Sequence, residues 1–176
     1  AQKKMAWPRQ PNDRQWVKPE GDDPRTLYQM LKVSQEMFGE DLCFGYIPRY
    51  GGERMHLSYN EFGDLSTSVA KGLRDIGVGK GDRVAIILDN SVEWAALSYG
   101  ANAIGAAYTA MYTHQNGKDW AYILDDSTPK VVAVANTEVL DKLCEALDKD
   151  MWPESGVILI GDEPPNEMPP EGVEVR

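Results

Sequence analysis

Short apolar segments alternate with amphipathic ones from residue 83 onward, and this alternation is the strongest structural signal in the chain. The segments "RVAIIL", "AAYTAMY", "KVVAVA" and "GVILIG" have the length and the apolar content of buried strands. Between them, "VEWAALSYGANAI", "GKDWAYILDD" and "TEVLDKLCEALDK" have the composition and spacing of helices. Strands that are apolar on both faces and separated by helices predict the α/β class, with a mostly parallel sheet covered by helices on both faces.

A helix and a β-hairpin are predicted before this alternation begins. The helix has one apolar face, formed by Leu27, Met30, Leu31 and Phe38. We expect Gly39 to end the helix by adopting a left-handed conformation. The segments "LCFGYIP" and "ERMHLSY" then form the two strands of a hairpin around Gly51 and Gly52.

A second helix follows the hairpin directly. Ser58 and Glu61 have the spacing of a capping box, in which each side chain accepts a hydrogen bond from the backbone amide of the other residue. The apolar positions of this helix are Phe62, Leu65, Val69, Leu73 and Ile76. Gly77 is expected to end it.

The glycines of "GVGKGDRVAIILDN" (77–90) suggest a phosphate-binding loop by composition only. Such loops follow a strand and precede a helix, so that backbone amides and the positive end of the helix dipole face the anion. Here the order is reversed, and Gly77, Gly79 and Gly81 lack the spacing of the known motifs. We therefore expect a helix stop and a tight turn. Three side chains of this turn are expected to be solvated: Lys80, Asp82 and Arg83.

Ligands of parallel α/β sheets bind at turns from a strand into a helix. Three such turns are predicted, "DNSVEW" (89–94), "YTHQNGKD" (112–119) and "ANTEV" (135–139). In the first, Asn90 or Ser91 can cap the next helix, and Glu93 lies in its first turn. His114, in the second turn, is compatible with a ligand contact and also with an ordinary solvated position.

The other candidate residues have structural explanations. His56 lies in the predicted hairpin, and two histidines without a suitably spaced carboxylate do not predict a metal site. Cys43 and Cys144 have no Cys-x-x-Cys spacing, which favours buried free thiols over a disulfide. Four aromatic residues at helical spacings are expected to pack in the core: Trp94, Tyr99, Trp120 and Tyr122.

The charge of the chain limits its partners. Its 176 residues include 28 acidic and 18 basic ones, and the formal net charge is −10. This charge repels a phosphate backbone, and no basic cluster offsets it, so we expect no nucleic acid partner. No run of about 18 apolar residues and no secretory segment is present. We therefore expect a protein of the cytoplasm or of the cytoplasmic face of a membrane, with peripheral membrane association left open.

Composition also indicates the domain boundaries. Residues 1–25 contain four prolines and no apolar period, which predicts an extended arm. Residues 26–161 form the α/β domain. Residues 162–176, with four prolines and five acidic residues, are expected to be a linker or an edge segment.

Several ordered motifs between residues 57 and 147 resemble the adenylate-forming, AMP-binding superfamily. "LSYNEF" is similar to its Leu-Thr-Tyr-x-Glu-Leu opening, and "GVGKGDRVAIILDNSVEW" resembles its Gly-Val-x-x-Gly-Asp-x-Val stretch and the following Asn-x-x-Glu turn. "ANAIGAAYTAMYT" resembles its Ala-Gly-x-x-x-x-Pro segment, except that Ala110 stands where the family usually has proline. Within the superfamily, "TLYQML", the hairpin and "YTHQN" look most similar to long-chain fatty acyl-CoA synthetases, including the bubblegum-type branch.

This resemblance implies part of the large N-terminal domain of an acyl-CoA synthetase, with ATP, magnesium and CoA as the cofactors and substrates of the parent enzyme. The parent reaction would form an acyl-adenylate and then acyl-CoA. The family's Pro-Lys-Gly phosphate loop, its Tyr-Gly-x-Thr-Glu segment, its ribose-binding aspartate and its catalytic lysine have no match here. The resemblance therefore implies an inactive fragment without catalytic or cofactor-binding residues of its own, whose partner is the remainder of the parent.

Three residues are the best candidates to border the acyl or CoA site of the parent. Asn90, Tyr112 and His114 all lie on the predicted ligand side of the sheet. A truncated chain is also expected to self-associate, because the small-residue helix 92–104 has few polar positions and truncation would expose apolar surface.

Two alternatives remain open from the sequence. The apolar alternation closes by residue 161, which is also compatible with a stand-alone, flavodoxin-like binding or interaction module. A non-catalytic paralogue that serves as a scaffold is the other alternative.

Overall fold

A computed structural model describes residues 26–48, 51–161 and 169–176 of the chain. The helices are α1 (Leu27–Phe38), α2 (Tyr59–Asp75), α3 (Val92–Ala103), α4 (Gly117–Ser127) and α5 (Thr137–Ala146). The strands are β1 (Leu42–Tyr46), β2 (Met55–Ser58), β3 (Arg83–Ile87), β4 (Ala107–Met111), β5 (Val131–Val134) and β6 (Val157–Leu159). The arm predicted over residues 1–25 and residues 162–168 of the predicted tail lie outside the described residues.

Four strands form one parallel sheet in the order β4-β3-β5-β6, which confirms the predicted α/β class. The two central strands, β3 and β5, are buried along almost their whole length. At β4 the prediction of burial on both faces is wrong, because Ala107 and Ala110 are exposed. The physical reason is that β4 has a neighbouring strand on one side only among the described residues.

The helices cover both faces of this sheet. The chain passes from β3 through α3 to β4 and then returns through α4, past β3, to β5. Strand–helix–strand connections between parallel strands are right-handed. The connection from β3 to β4 runs in one direction across the sheet, and those from β4 to β5 and from β5 to β6 run in the other. The helix α3 therefore lies on one face, and α4 and α5 lie on the other. In agreement, α1, α2 and α3 pack together, and α4 packs on α5.

The predicted hairpin is present as a separate two-stranded antiparallel sheet of β1 and β2. Gly51 and Gly52 between the strands have φ angles of +82° and +120°, which favour glycine. The hairpin packs on the α1–α3 side of the domain, where Phe44 meets the buried Phe62 with ring centroids 4.7 Å apart. On another side of Phe62, the ring of Tyr99 lies edge-on at 5.5 Å. These aromatic contacts join the hairpin to the helices.

The first helix ends at Gly39, although not in the conformation predicted. Its φ angle is −26°, so Gly39 does not adopt the left-handed conformation. A Cβ atom here would lie 2.7 Å from the Asn60 side-chain nitrogen and 3.0 Å from the Gln35 carbonyl oxygen, so there is little space for a side chain. The predicted apolar face of α1 is also only partly correct, because Leu31 is buried whereas Leu27 and Met30 are about half exposed.

The second helix begins and ends as predicted. Ser58 Oγ accepts a hydrogen bond from the Glu61 amide at 3.2 Å, and the Glu61 carboxylate accepts one from the Ser58 amide at 2.7 Å. At the other end Gly77 has a φ of +88°, and its amide donates to the Arg74 carbonyl. Phe62 and Leu73 are buried, but Leu65, expected on the same face, is exposed.

The glycine-rich turn after α2 is a helix stop followed by a tight turn, and it leads into the amino end of β3. Lys80 is solvated, but the same prediction is wrong for two neighbours. Asp82 accepts a hydrogen bond from the Gly79 amide at 2.8 Å. Arg83 is half-buried and donates to the carbonyls of Ser127 and Thr128 and to the Thr128 hydroxyl. Its guanidinium therefore fixes the loop between α4 and β5.

The last described residues lie beside β6. The Val157 amide donates to the Glu174 carbonyl, and the Arg176 amide donates to the Val157 carbonyl, at 2.8 and 3.0 Å. Gly156 has a φ of +79°, and a Cβ atom there would collide with the Glu174 carbonyl. The end of the chain thus adds a short parallel pairing outside β6.

Two glycines of the α2 region should respond in opposite directions to the same substitution. Gly77→Ala is expected to lower the free energy of unfolding by about 1–2 kcal/mol, because an L-residue is strained at positive φ. Gly72→Ala, at an exposed position of α2 with open space around it, should raise it by about 0.5–1 kcal/mol. Urea unfolding measures the free energy of unfolding of both variants. Changes of the same sign would contradict the roles of Gly77 as a helix stop and Gly72 as an ordinary helical position.

Candidate functional site

Two recesses open at the carboxyl ends of the strands, and they share the segment 88–90. The first, of about 400 Å³, lies between residues 45–47 of the hairpin and the start of α3; we call it the hairpin recess. The second, of about 470 Å³, lies between Trp94 of α3 and residues 110–112 at the end of β4; we call it the β4 recess. Parallel sheets bind ligands at this edge, which makes the two recesses the candidate site.

The structure brings two of the three predicted site residues together. Asn90 and Tyr112 both line the β4 recess, and the side chain of Tyr112 is 78% exposed. His114 does not line either recess and is exposed on the loop that follows β4. After the hydrogen bond and the charge of Lys142, the charge of His114 is a smaller contribution to the lowered pKa of Glu138 on α5.

The backbone of Tyr112 is held by the side chains of Gln115, in its own loop, and Trp120, in α4. Its amide donates to Gln115 Oε1 at 2.9 Å, and its carbonyl accepts from Trp120 Nε1 at 3.0 Å. Trp120 is completely buried. The main chain of Tyr112 is therefore fixed while its ring remains in solvent at the rim of the β4 recess.

A hydrogen bond joins the two loops that form the candidate site. Thr113 Oγ1 donates to Asp89 Oδ1 at 2.5 Å, across 24 positions of sequence. Thr113 is buried, whereas Asp89 is exposed and lines both recesses. The sequence analysis did not single out either residue. Both residues come directly after a predicted strand, and this position could have marked them as candidates for the ligand side of the sheet.

The choice of helix cap explains why Asn90 is available at the recess. Ser91 is the N-cap of α3, and its Oγ accepts from the Trp94 amide at 3.1 Å. Of the two capping candidates, Ser91 thus caps the helix and Asn90 stays exposed on the loop. Glu93 lies in the first turn of α3, as predicted.

Three of the four aromatic residues expected to pack do so. Trp120 is buried, Trp94 lies edge-on to Tyr108 with ring centroids 5.9 Å apart, and Tyr99 packs on Phe62. The prediction is wrong for Tyr122, which is 73% exposed. Two positions along a helix turn the side chain by about 200°, so Tyr122 points away from the face that buries Trp120.

The cysteines and histidines lie outside the recesses. Cys43 on β1 and Cys144 on α5 are not joined in a disulfide, and both are half-buried rather than fully buried. Burial raises the pKa of Cys43 to about 11, so this thiol is protonated at neutral pH. His56 is exposed on β2, opposite Gly45 of β1. In the described ranges, no group of three or more His, Cys, Asp or Glu residues is arranged to hold a metal ion.

The candidate site carries negative charge. Asp89 and Glu93 line the hairpin recess, and Asp119 and Glu138 lie in the first turns of α4 and α5. Hydrogen bonding to Lys142 and the charge of Lys142 lower the pKa of Glu138. Carboxylates that line a recess oppose the binding of a triphosphate there. None of the described helices has the length and apolar character needed to cross a membrane.

The hydrogen bond between Asp89 and Thr113 should stabilise the fold, so removing the Thr113 hydroxyl should cost more than removing a hydroxyl that forms no such bond. We expect Thr113→Val to lower the free energy of unfolding by about 1.5 kcal/mol, because it removes a hydrogen bond to a carboxylate. Thr109→Val on β4 serves as the control, since the Thr109 hydroxyl forms no hydrogen bond with any of the described residues. Urea unfolding of Thr113→Val, Thr109→Val, Asp89→Ala and the double variant Asp89→Ala/Thr113→Val measures the coupling. Additive effects of the two substitutions would contradict it.

Comparison with known proteins gives the family. The profile of the AMP-binding enzyme family matches residues 33–175. The chain is 28% identical over 146 residues to "Long-chain-fatty-acid--CoA ligase ACSBG1" of Bos taurus, covering 83% of this chain and 20% of that protein. It is 37% identical over 78 residues to "Long-chain-fatty-acid--CoA ligase FadD13" of Mycobacterium tuberculosis, covering 44% of this chain and 16% of that protein.

A solved structure agrees with the sequence matches. The structure titled "Mycobacterium tuberculosis fatty acyl CoA synthetase" superposes with a TM-score of 0.63 at 25% identity, covering 85% of this chain and 26% of that chain. The chain spans about a fifth of the length of the curated relatives it matches. It belongs to the AMP-binding enzyme family, and the members that it resembles include long-chain fatty acid CoA ligases.

Proposed function

We propose that this chain is the amino-terminal part of an AMP-forming long-chain fatty acid CoA ligase and that it supplies scaffold rather than catalytic residues. The observation that carries the proposal is the similarity to a long-chain ligase along 83% of the chain, in agreement with the family match. The family motifs found here have sufficient structural explanations, namely the Ser58 capping box and the Gly77 helix stop.

The reaction proposed for the longer enzyme has two steps. The fatty acid carboxylate attacks the α-phosphorus of ATP, which forms an acyl-adenylate and releases pyrophosphate. The thiol of CoA then attacks the acyl carbonyl, and AMP leaves as acyl-CoA forms. Magnesium would supply positive charge that stabilises the leaving pyrophosphate. The acidic edge described here does not suit these phosphates, so we assign no step to its residues.

We further propose that Asn90 and Tyr112 border the substrate of the longer enzyme. The β4 recess has an apolar lining from Leu88, Trp94 and Met111, with the Asn90 amide and the Asp89 carboxylate beside it. A carboxylate in this position repels a fatty acid head group and the phosphates of CoA. The recess therefore suits an uncharged part of the substrate, either the acyl chain or the pantetheine arm.

His114 remains a third candidate, on the neighbouring loop. Its role as a substrate contact rests on its side of the sheet alone, because it does not line the β4 recess. We propose for the protein the location expected from the sequence, in the cytoplasm or on the cytoplasmic face of a membrane.

Titration calorimetry tests whether this chain supplies only scaffold to a longer enzyme. We expect the 176-residue chain to bind neither ATP with magnesium nor a long-chain acyl-CoA, while a longer product of the same gene forms acyl-CoA from palmitate. Tight nucleotide binding by this chain alone would contradict the proposal and favour a stand-alone nucleotide-binding module. An inactive longer product would favour a scaffold paralogue.

The two tyrosines with similar exposure provide a matched test of the site. In the longer enzyme, Tyr112→Ala is expected to raise KM for the fatty acid or for CoA several-fold, because it removes a wall of the β4 recess. Tyr122→Ala should leave both KM values unchanged, since Tyr122 is 73% exposed on α4 and does not line either recess. Asn90→Ala and His114→Ala extend the series. Unchanged kinetics in all three site variants would remove these residues from the substrate site.

A further inference from the structure

Tyr112 is the first residue after β4, and its backbone is hydrogen-bonded outside the sheet. The pairing of β4 with β3 ends at Met111. The Tyr112 amide donates to Gln115 Oε1 at 2.9 Å, and the Tyr112 carbonyl accepts from Trp120 Nε1 at 3.0 Å and from the Gln115 amide at 3.2 Å. Gln115 thus bonds both backbone groups of Tyr112, one through its side chain and one through its own backbone.

The fold itself has little need of the Gln115 side-chain bond. The bond lies at an exposed position, where water can take the place of the accepting oxygen. The Tyr112 ring is 78% exposed and adds little to the core. What the bonds do is fix the main chain of Tyr112, which leaves two side-chain torsions as the remaining freedom of the ring.

A fixed main chain is useful at a binding site. The Tyr112 ring stands at the rim of the β4 recess, beside the apolar side chains of Leu88, Trp94 and Met111. Binding requires that this ring be ordered against its ligand, and the entropy lost is smaller when the main chain is already fixed. Residues that contact a ligand are therefore supported by a second set of residues that hold them in position.

We propose that Gln115 is a positioning residue, which holds Tyr112 so that the ring forms a wall of the β4 recess. This role rests on the proposed contact between Tyr112 and the substrate. Gln115 does not line the recess itself, so it acts only through Tyr112. The acyl chain and the pantetheine arm are bound alike before and during the reaction, so loss of Gln115 should raise KM and leave kcat nearly unchanged.

Gln29 of α1 provides a matched control, because its side chain makes the same kind of bond outside the site. Its Oε1 accepts from the amide of Thr26, three residues earlier, at 3.1 Å, as Gln115 Oε1 accepts from Tyr112. Neither Gln29 nor Thr26 lines either recess. Methionine has nearly the length of glutamine and no side-chain oxygen. Gln29→Met and Gln115→Met therefore each remove one bond of the same type.

Steady-state kinetics of the longer gene product with palmitate and CoA test the positioning role. Gln115→Met is expected to raise KM about three- to tenfold, the affinity equivalent of a neutral hydrogen bond, for the same substrate whose KM Tyr112→Ala raises. Gln29→Met should leave both KM values unchanged. Gln115→Glu, which keeps an accepting oxygen, should stay near the wild type. In Tyr112→Ala/Gln115→Met, KM should equal that of Tyr112→Ala alone, because no ring is left to position.

Hydrogen exchange of the Tyr112 amide in the 176-residue chain tests the bond itself. The amide should exchange at least several-fold faster in Gln115→Met than in the wild type or in Gln115→Glu. An unchanged exchange rate in Gln115→Met would show that the side chain does not hold this amide, and the positioning role would be overturned.

The kinetic outcomes separate the positioning role from the proposed function. If Tyr112→Ala raises KM and Gln115→Met does not, the positioning role is overturned and the proposed substrate contact stands. Additive effects in the double variant, or an equal rise of KM in Gln115→Glu, also overturn the positioning role. If Tyr112→Ala lowers the stability of the longer product and leaves both KM values unchanged, the ring packs on another part of the polypeptide. The substrate contact and the positioning role then fail together.

Discussion

The pairing of β3 with a strand on each side is the constraint on which the rest of the structure depends. Residues 84–87 of β3 are completely buried, and their register with both β4 and β5 is continuous. Because the three strands are parallel and in register, their carboxyl ends finish at one edge of the sheet. The loops that follow β3 and β4 therefore meet, which brings Asn90 and Tyr112 to one recess although 22 positions separate them.

Helix packing on one face explains the small residues of α3. A Cβ atom at Gly100 would lie 2.7 Å from Val69 Cγ1 of α2, so the two helices approach closely at this point. Ala95, Ala96 and Ala101 are also buried. This helix is covered by α1 and α2 on one side and by the sheet on the other, which accounts for its few polar positions.

The proposed supporting role depends on the chemistry at the carboxyl edge of the sheet. Asp89 is tied to Thr113, and the main chain of Tyr112 is tied to Trp120, so the two loops have a fixed geometry. The same edge carries carboxylates and offers no cationic group to a phosphate among the residues that line the two recesses. Rigid, apolar and acidic surroundings suit the uncharged part of a substrate better than its charged groups.

The sequence by itself determined the order and type of the elements, the Ser58–Glu61 capping box and the Gly77 helix stop, because periodicity and capping depend on residues within one or two turns. The ordered motifs also indicated the family. Only the tertiary structure decided that Arg83 reaches the loop after α4, that Tyr122 is exposed and that Asp89 bonds Thr113. Those outcomes depend on strand order and on which helix face meets the sheet, and such long-range contacts leave no local pattern in the chain.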